Sequence, residues 1–342
     1  MLTPHRPAPV DSVAGLAGLI DGYQTTAVLH AAVQLDLPDR LAGGPGDVGA
    51  LANAMDVDAD RLRRLLGVLA ALGVCRKQGE DVFALTEAGQ ALTSASTSGL
   101  RQRLLLAATH YAPVWMHIER GVRNGVTAFD DLHGCTPWQY RQRHPAAGEL
   151  FNTWLELETG RLAGLIAPAL DLAGVAHVAD IGGGTGALLN ALLELHQGLE
   201  VTLFDQPHVV AQAEAHWQAA GRGRTPATVG GDFMNEVPVR ADAYILKSIL
   251  HDWKDPDALR ILRNCRRAMP AGARLLLIER VLPERPPDDP ATHMLDLHMM
   301  LVTGGRERSL AQFEALLEGA GLRPGGHRAT PSAFTVIEAA AP

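Results

Sequence analysis

Gly182-Gly183-Gly184-Thr185-Gly186 lies between an apolar strand-like run, His177–Ile181, and a helical stretch opening at Ala187. Glycines suit such a place because the chain turns tightly and a ligand must approach the backbone without meeting a Cβ. The helix that follows offers free N–H donors at its start. Gly182-x-Gly184-x-x-Ala187 also satisfies the dinucleotide pattern, so a nicotinamide cofactor remains open on this loop alone. Asp205, closing the strand-like Val201–Phe204, would hydrogen-bond ribose hydroxyls in either case. Two features separate the readings. Asp180 stands just before the loop, where an acid suits a cofactor with an amino group and a sulfonium better than a pyrophosphate. Downstream there is no Tyr-x-x-x-Lys pair for hydride chemistry; the fourth strand ends instead in Lys247-Ser248-Ile249-Leu250-His251-Asp252-Trp253-Lys254-Asp255. His251 thus falls at the carboxyl edge, where open α/β sheets place their ligands.

The elements that must position these residues alternate from His177 onward. Apolar strands (HVADI, EVTLF, ATVGG, AYILK, RLLLIE, FTVIE) are separated by helices from Ala187, His208, Pro256–Met269 and Leu310–Glu318. Such alternation predicts βαβ units, a parallel twisted sheet and a doubly wound Rossmann-like α/β domain. The first 100 residues read differently. Asp11 or Ser12 is placed to cap a helix through Val28–Val33 that Leu37-Pro38 stops, and Val48–Met55 is a second helix. Asp60–Leu72 carries an amphipathic stripe, Val74–Lys77 and Val82–Leu85 make a hairpin, and Thr86-Glu87 opens another helix. Helix, helix, helix, hairpin is a winged-helix-like order. The expected domains are 1–100, winged-helix-like; 101–170, a helical linker; and 171–342, the α/β domain. The linker gathers Tyr111, Trp115, Phe129, Trp138, Tyr140, Phe151 and Trp154, expected to fill a core and in part to wall a flat apolar pocket.

Bulk properties narrow the function. The 342 residues carry 30 Lys and Arg against 38 Asp and Glu, a net charge of −8. That balance disfavours nucleic acid and anionic membrane, which need a basic face. Within Asp47–Leu92 seven acids face five bases, a poor footprint for DNA despite the winged-helix order. Three scattered cysteines make no disulfide framework and no metal pair, which fits a reducing cytoplasm. The first residues show neither a signal-peptide pattern nor a membrane-length apolar run.

VADIGGGTG, LFDQPHVV, GGDF, LKSILHDWKD, LLLIERVLP and GGRERS, in this order, resemble the small-molecule O-methyltransferases. That family includes the caffeic acid and acetylserotonin enzymes and bacterial enzymes that modify polyketides and phenazines. The resemblance covers essentially the whole chain. It implies S-adenosylmethionine as cofactor, a small-molecule aromatic acceptor and a homodimer formed through the N-terminal domain. It also implies Gly182 against the methionine part, Asp205 on the ribose, Asp232 and Phe233 flanking the adenine, and Lys247 near the cofactor. A phenol of pKa about 10 is mostly un-ionised at neutral pH, and a histidine of pKa about 6.5 is suited to take its proton. The resemblance makes His251 that general base and sets Glu279 and Glu307 beside it. It places Phe151, Leu155, Met299 and Thr303 along the acceptor pocket, with Asp252 and Trp253 supporting the loop. His293 and His298 show no partners at metal-ligand spacing, so no metal is expected. The nearest alternatives keep the fold and change the reaction: N- or C-methylation, or cofactor-assisted chemistry without methylation. A winged-helix regulator and a dehydrogenase are the alternatives from other classes.

Overall fold

A computed structural model of the chain describes residues 12–219, 221, 224–285 and 289–342. The described residues divide into two compact units, one running through Pro113 and one from Val114 to Pro342, so the helical segment 101–170 contributes to both.

In the first unit α1 (Val13–Ile20) and α2 (Gly22–Gln34) are separate helices, with Asp21 between them. The single longer helix expected from the sequence is therefore interrupted. Ser12 is the cap, its side chain accepting from the Gly15 N–H; Asp11 lies outside the described residues. Leu37-Pro38 begins α3 (Leu37–Ala42) rather than stopping a helix, with proline in the first turn where its missing N–H costs nothing. β1 (Gly46–Asp47), α4 (Val48–Met55) and α5 (Ala59–Ala71) follow. Asp58 caps α5, and Leu62, Leu66 and Leu69 bury its apolar stripe against Leu37, Leu41, Val48 and Phe83. The expected hairpin is β2 (Cys75–Lys77) with β3 (Val82–Leu85), antiparallel, and β1 pairs on the far side of β3. Thr86 caps α6 (Glu87–Gln90), and α7 (Leu100–Leu106) comes next. Val13, Leu16, Ile20 and Tyr23 are all more than half exposed.

From Ala112 the chain runs through α8 (Ala112–Trp115), α9 (Ile118–Asn124), α10 (Ala128–His133), α11 (Pro137–Arg143) and α12 (Pro145–Ile166). Then come β4 (His177–Ile181), α13 (Ala187–Leu195), β5 (Glu200–Asp205), α14 (Pro207–Ala219) and β6 (Ala227–Gly230). They are followed by β7 (Ala243–Lys247), α15 (Asp255–Ala268), β8 (Arg274–Glu279), α16 (Pro290–Val302) and α17 (Leu310–Gly319). β9 (Arg323–Ala329) and β10 (Thr335–Ala340) end the order.

The seven strands lie in the order β6-β5-β4-β7-β8-β10-β9, parallel except that β10 runs antiparallel to β8 and β9 antiparallel to β10. Alternation along each strand loads both faces. Tyr244, Leu246, Leu275 and Leu277 pack with α15 and α17 on one side. Ala243, Ile245, Leu276 and Ile278 pack with α12, α13 and α14 on the other. The sequence reading contained neither α16 nor β9. The strand Arg323–Ala329 has two glycines and no run of β-formers, and it holds its place as an edge through pairing with β10.

The chain steps outward from β4 to β5 and β6, then returns to β7 on the opposite side of β4. That reversal puts a crevice at the carboxyl ends of β4 and β7. Gly182 follows β4, and His251 follows β7.

Candidate active site

The glycine loop closes on itself before any ligand is considered. Gly182, Gly184 and Gly186 have positive φ values of 76°, 61° and 75°, which L side chains rarely adopt. A Cβ at Gly182 would stand 2.5 Å from Ile249 Cδ1 and 3.4 Å from Phe233 Cε1. The loop is therefore a bare backbone surface, with Phe233 and the His251 segment beside it. Asp205 fastens it: Oδ2 accepts from the Gly184 N–H at 2.8 Å and Oδ1 from the Gln206 N–H at 2.6 Å. A carboxylate has about four lone-pair sites, so each oxygen keeps capacity for a hydroxyl donor. Asp180 lies under the loop, where a Cβ on Gly183 would meet its Oδ2 at 2.5 Å. Burial pushes its carboxyl up to about 7 against the pull of Lys247, and its Oδ1 is buried with no hydrogen-bond partner. Lys247 is itself held below its ordinary value by burial, and its Nζ is 3.4 Å from Thr159 Oγ1. The floor of the loop thus holds a buried acid and a buried lysine, with Asp180 Oδ1 left as an unused acceptor.

On the other side of the crevice three segments converge on His251. Its Nδ1 is 2.8 Å from Glu307 Oε1. A carboxylate only accepts, so Nδ1 carries the hydrogen, and in the neutral ring Nε2 presents the basic lone pair. Glu279 acts differently. Its Oε1 accepts from the Ile249 and Leu250 N–H groups at 3.0 and 2.8 Å, fixing the backbone before the histidine. Its Oε2 is 3.9 Å from Nδ1, a charge contact rather than a hydrogen bond. Both carboxylates have no solvent exposure. Burial opposes the charging of His251, but Glu279, Glu307 and Asp252 outweigh it and raise the imidazole to about 10. Burial pushes Glu279 up to about 7, against the pull of His251 and of its two N–H donors. The cluster therefore makes Nε2 a stronger base than a free imidazole.

The remaining expected residues separate into two groups. Phe233 stands beside Gly182, with its ring edge-on to Trp253 at 5.9 Å. Trp253 in turn stacks on Trp138 at 4.8 Å, the support expected of it. Leu155 Cδ2 lies 3.6 Å from the Cβ position of Gly184. Phe151 lies under the Arg141 guanidinium, 3.4 Å from the ring centroid, and Arg141 also pulls on the Asp252 carboxyl. The others are engaged locally. Asp232 is exposed and caps its own turn, accepting from the Met234 N–H at 2.8 Å and from Asn235 Nδ2 at 3.1 Å. Thr303 Oγ1 donates to the buried Met299 carbonyl at 3.0 Å and accepts from the Gly305 N–H, ending α16.

Two side chains near His251, Asp296 and Arg308, were not singled out from the sequence, and a third, Asp252, was expected only to support the loop but also acts on the charge of His251. Asp252 Oδ1 lies 4.0 Å from Nε2, whereas Glu307 meets Nδ1. Asp296 Oδ1 accepts from the Glu307 N–H at 2.8 Å. The Arg308 guanidinium is 1 % exposed among the backbone carbonyls around His251. Arg308 stands next to Glu307 in GGRERS, a signal that drew attention only to the acid. His298, on α16, accepts from the Trp115 indole N–H at 3.1 Å. Burial, with the charges of His251 and Arg141, lowers His298 to about 4, so it is a neutral neighbour.

Known proteins are similar to this chain in sequence and fold. Residues 115–323 match the O-methyltransferase domain, and residues 17–95 match the O-methyltransferase dimerisation domain. The phenazine O-methyltransferase PhzM of Lysobacter antibioticus is 35% identical, over 97% of this chain and 96% of its own length. The mitomycin biosynthesis 6-O-methyltransferase of Streptomyces lavendulae is 36% identical, over 94% of this chain and 93% of its own. The crystal structure of human N-acetylserotonin methyltransferase in complex with SAM superposes with a TM-score of 0.87 at 27% identity, covering 97% of this chain and 98% of that one. A nicotinamide dehydrogenase and a winged-helix regulator are thereby set aside: the chain belongs to the O-methyltransferase family.

Proposed function

We propose that this protein transfers a methyl group from S-adenosylmethionine to a hydroxyl of a small aromatic molecule, with His251 as general base. The observation that carries this reading is the 2.8 Å contact between Nδ1 and Glu307, which leaves Nε2 as the proton acceptor. Bound in the crevice, S-adenosylmethionine supplies an electrophilic methyl group on a sulfonium.

The chain's own residues supply the rest. Gly182 offers backbone without a Cβ to the methionine part, and Asp205 accepts from the ribose hydroxyls. Asp232 and Phe233 flank the adenine. Lys247, at the end of β7 and within the influence of Asp180, lies near the cofactor. Phe151, Leu155, Met299 and Thr303 line the acceptor side. His251 Nε2 would take the proton of the acceptor hydroxyl, while the donor would supply the methyl group by cleavage of its methyl–sulfur bond and leave as S-adenosylhomocysteine. Glu307, directly, and Glu279, through space, stabilise the imidazolium that forms. The base needs no metal, because the histidine–carboxylate pair provides it.

The exposed apolar residues of α1, with the match to a dimerisation domain, support a homodimer formed through the N-terminal unit. Three buried free cysteines and the acidic net charge support a cytoplasmic enzyme that binds no nucleic acid. Among the described residues no helix is long and apolar enough to cross a membrane.

The test follows turnover and donor binding together. Incubation with S-adenosylmethionine and a panel of hydroxylated aromatics is expected to give S-adenosylhomocysteine and a methoxy product. In the Asp205→Ala variant donor affinity should fall about 10- to 100-fold, through loss of charge-assisted hydrogen bonds. Binding of NAD in preference to S-adenosylmethionine, or product formed without S-adenosylhomocysteine, refutes the reading.

A further inference from the structure

Arg308 is a fully buried charge whose bonds lead to the histidine segment. Its Nη1 donates to the Leu250 carbonyl at 2.7 Å and to the Arg306 carbonyl at 3.5 Å. Its Nη2 donates to the Trp253 carbonyl at 2.7 Å and to Asp255 Oδ1 at 2.8 Å, and its Nε to the same oxygen at 3.0 Å. All five guanidinium N–H groups are used. The carbonyls it holds stand one residue before and two residues after His251. The residues on either side of Glu307 complete the grip, since the Arg306 N–H donates to the His251 carbonyl at 2.9 Å. Arg308 itself is anchored to the chain beyond β8, where the Leu282 N–H donates to its carbonyl at 2.9 Å.

Burying a guanidinium is costly, and an apolar side chain of similar volume is often as stabilising or more so. Its carboxylate partner among the described residues, Asp255, is 56 % exposed, so the ion pair is a modest return for that cost. What the guanidinium supplies and an apolar side chain would not is a planar fork spanning two carbonyls and a carboxylate. The segment it spans also needs holding. Ser248, just before it, has φ of 55°, an uncommon value for a residue other than glycine.

We infer that Arg308 is a positioning residue for His251, gripping the backbone on both sides of the histidine so that its imidazole stays within hydrogen-bond reach of Glu307. This rests on the reading of His251 as the base. The groups that face the imidazole are Glu279 from β8, Glu307 and Asp252 from the adjoining segments, and His298 from α16, with Arg141 acting on both Asp252 and His298. Arg308 makes no contact with the imidazole. Its effect is transmitted through the backbone.

Proton NMR titration of the His251 C2–H reports this without an acceptor, the resonance being assigned by its absence in His251→Gln. In Arg308→Lys and Arg308→Met the midpoint is expected to fall by about one pH unit or more toward 6.5, as the contact with Glu307 loosens. Turnover should fall about tenfold or more, with the dissociation constant of S-adenosylmethionine unchanged within about threefold. Lysine does not rescue, because a single ammonium cannot span both carbonyls and Asp255. Asp255→Ala removes the one exposed partner at little risk to folding, and it should move the midpoint the same way by less. An unmoved midpoint in the lysine and Asp255 variants overturns the inference, as does loss of turnover only in step with loss of donor binding. Failure of the base reading would show separately, as full turnover in His251→Ala.

Discussion

Replacing His251 with alanine is expected to lower kcat by about 10²- to 10⁴-fold, the range general-base catalysis supplies. Affinity for S-adenosylmethionine should be retained. The two outcomes separate because the residues serve separate elements. The donor loop is fastened by Asp205 to the end of β5, and no donor-loop hydrogen bond involves the His251 side chain. Alanine also leaves the Glu307 carboxylate buried without its partner, beside a Glu279 that burial already pushes up to about 7. The expected consequence is some loss of stability, as for other unpaired buried charges. Isothermal titration with the donor, run alongside initial rates, distinguishes this from unfolding. Turnover within about threefold of wild type would remove His251 from the chemistry.

Gly305→Ala is expected to be nearly as damaging, although Gly305 touches no reacting group. A Cβ there would stand 2.0 Å from the His251 carbonyl oxygen and 2.5 Å from the Asp252 carbonyl carbon. These are backbone atoms, so no rotamer change relieves the overlap. Either the 304–306 turn or the His251 segment has to move by about 1 Å, and a misplacement of that size near the chemistry costs about 100-fold. The 2.9 Å bond from the Arg306 N–H to the His251 carbonyl would be lost with it. Stability should fall by about 1–3 kcal/mol, as for other overpacked sites. Gly160→Ala is the matched control. Gly160 is an exposed residue of α12 with nothing within 4 Å of its Cβ position, so alanine should be neutral or stabilising by up to about 1 kcal/mol. Rates and thermal midpoints of the two variants check the contrast. A Gly305→Ala enzyme as fast as wild type would show that the segment need not be held as described.

What the sequence disclosed and what it withheld divide along the range of the interactions. The glycine loop, the strand rhythm from His177 and the caps at Ser12 and Thr86 are local patterns, and each is seen in the structure. The break at Asp21 and the helix beginning at Leu37-Pro38 depend on how short helices pack, which periodicity does not reveal. Edge strand β9 is held by β10 rather than by its own residues, so Arg323–Ala329 carries little strand signal. The histidine cluster draws on segments 28 and 56 residues apart in the chain. Family resemblance was what brought Glu279 and Glu307 to His251, because spacing alone does not bring them together. It did not distinguish them. The hydrogen bond belongs to Glu307, whereas Glu279 holds backbone N–H groups and acts on the ring through space. Arg308 stayed hidden because a charged residue in a polar hexapeptide reads as surface, and only the fold shows its burial. Asp180 illustrates the same limit: its position before the loop was plain, but not that it lies beneath Gly183.

The pH dependence of kcat/KM, measured side by side for wild type and Glu307→Gln, tests the central claim most directly. A base acts only in its neutral form, so activity rises tenfold per pH unit until the apparent pKa of the cluster is passed. Because the carboxylates raise His251 from 6.5 to about 10, that limb in wild type should lie well above 6.5. Removing the charge of Glu307 weakens the stabilisation of the imidazolium. The limb should then move to lower pH, and the plateau should fall with the loss of base strength and orientation. A wild-type limb at or below 6.5, or a limb that Glu307→Gln leaves in place, would contradict the assignment of His251 and Glu307 as the pair that removes the acceptor's proton.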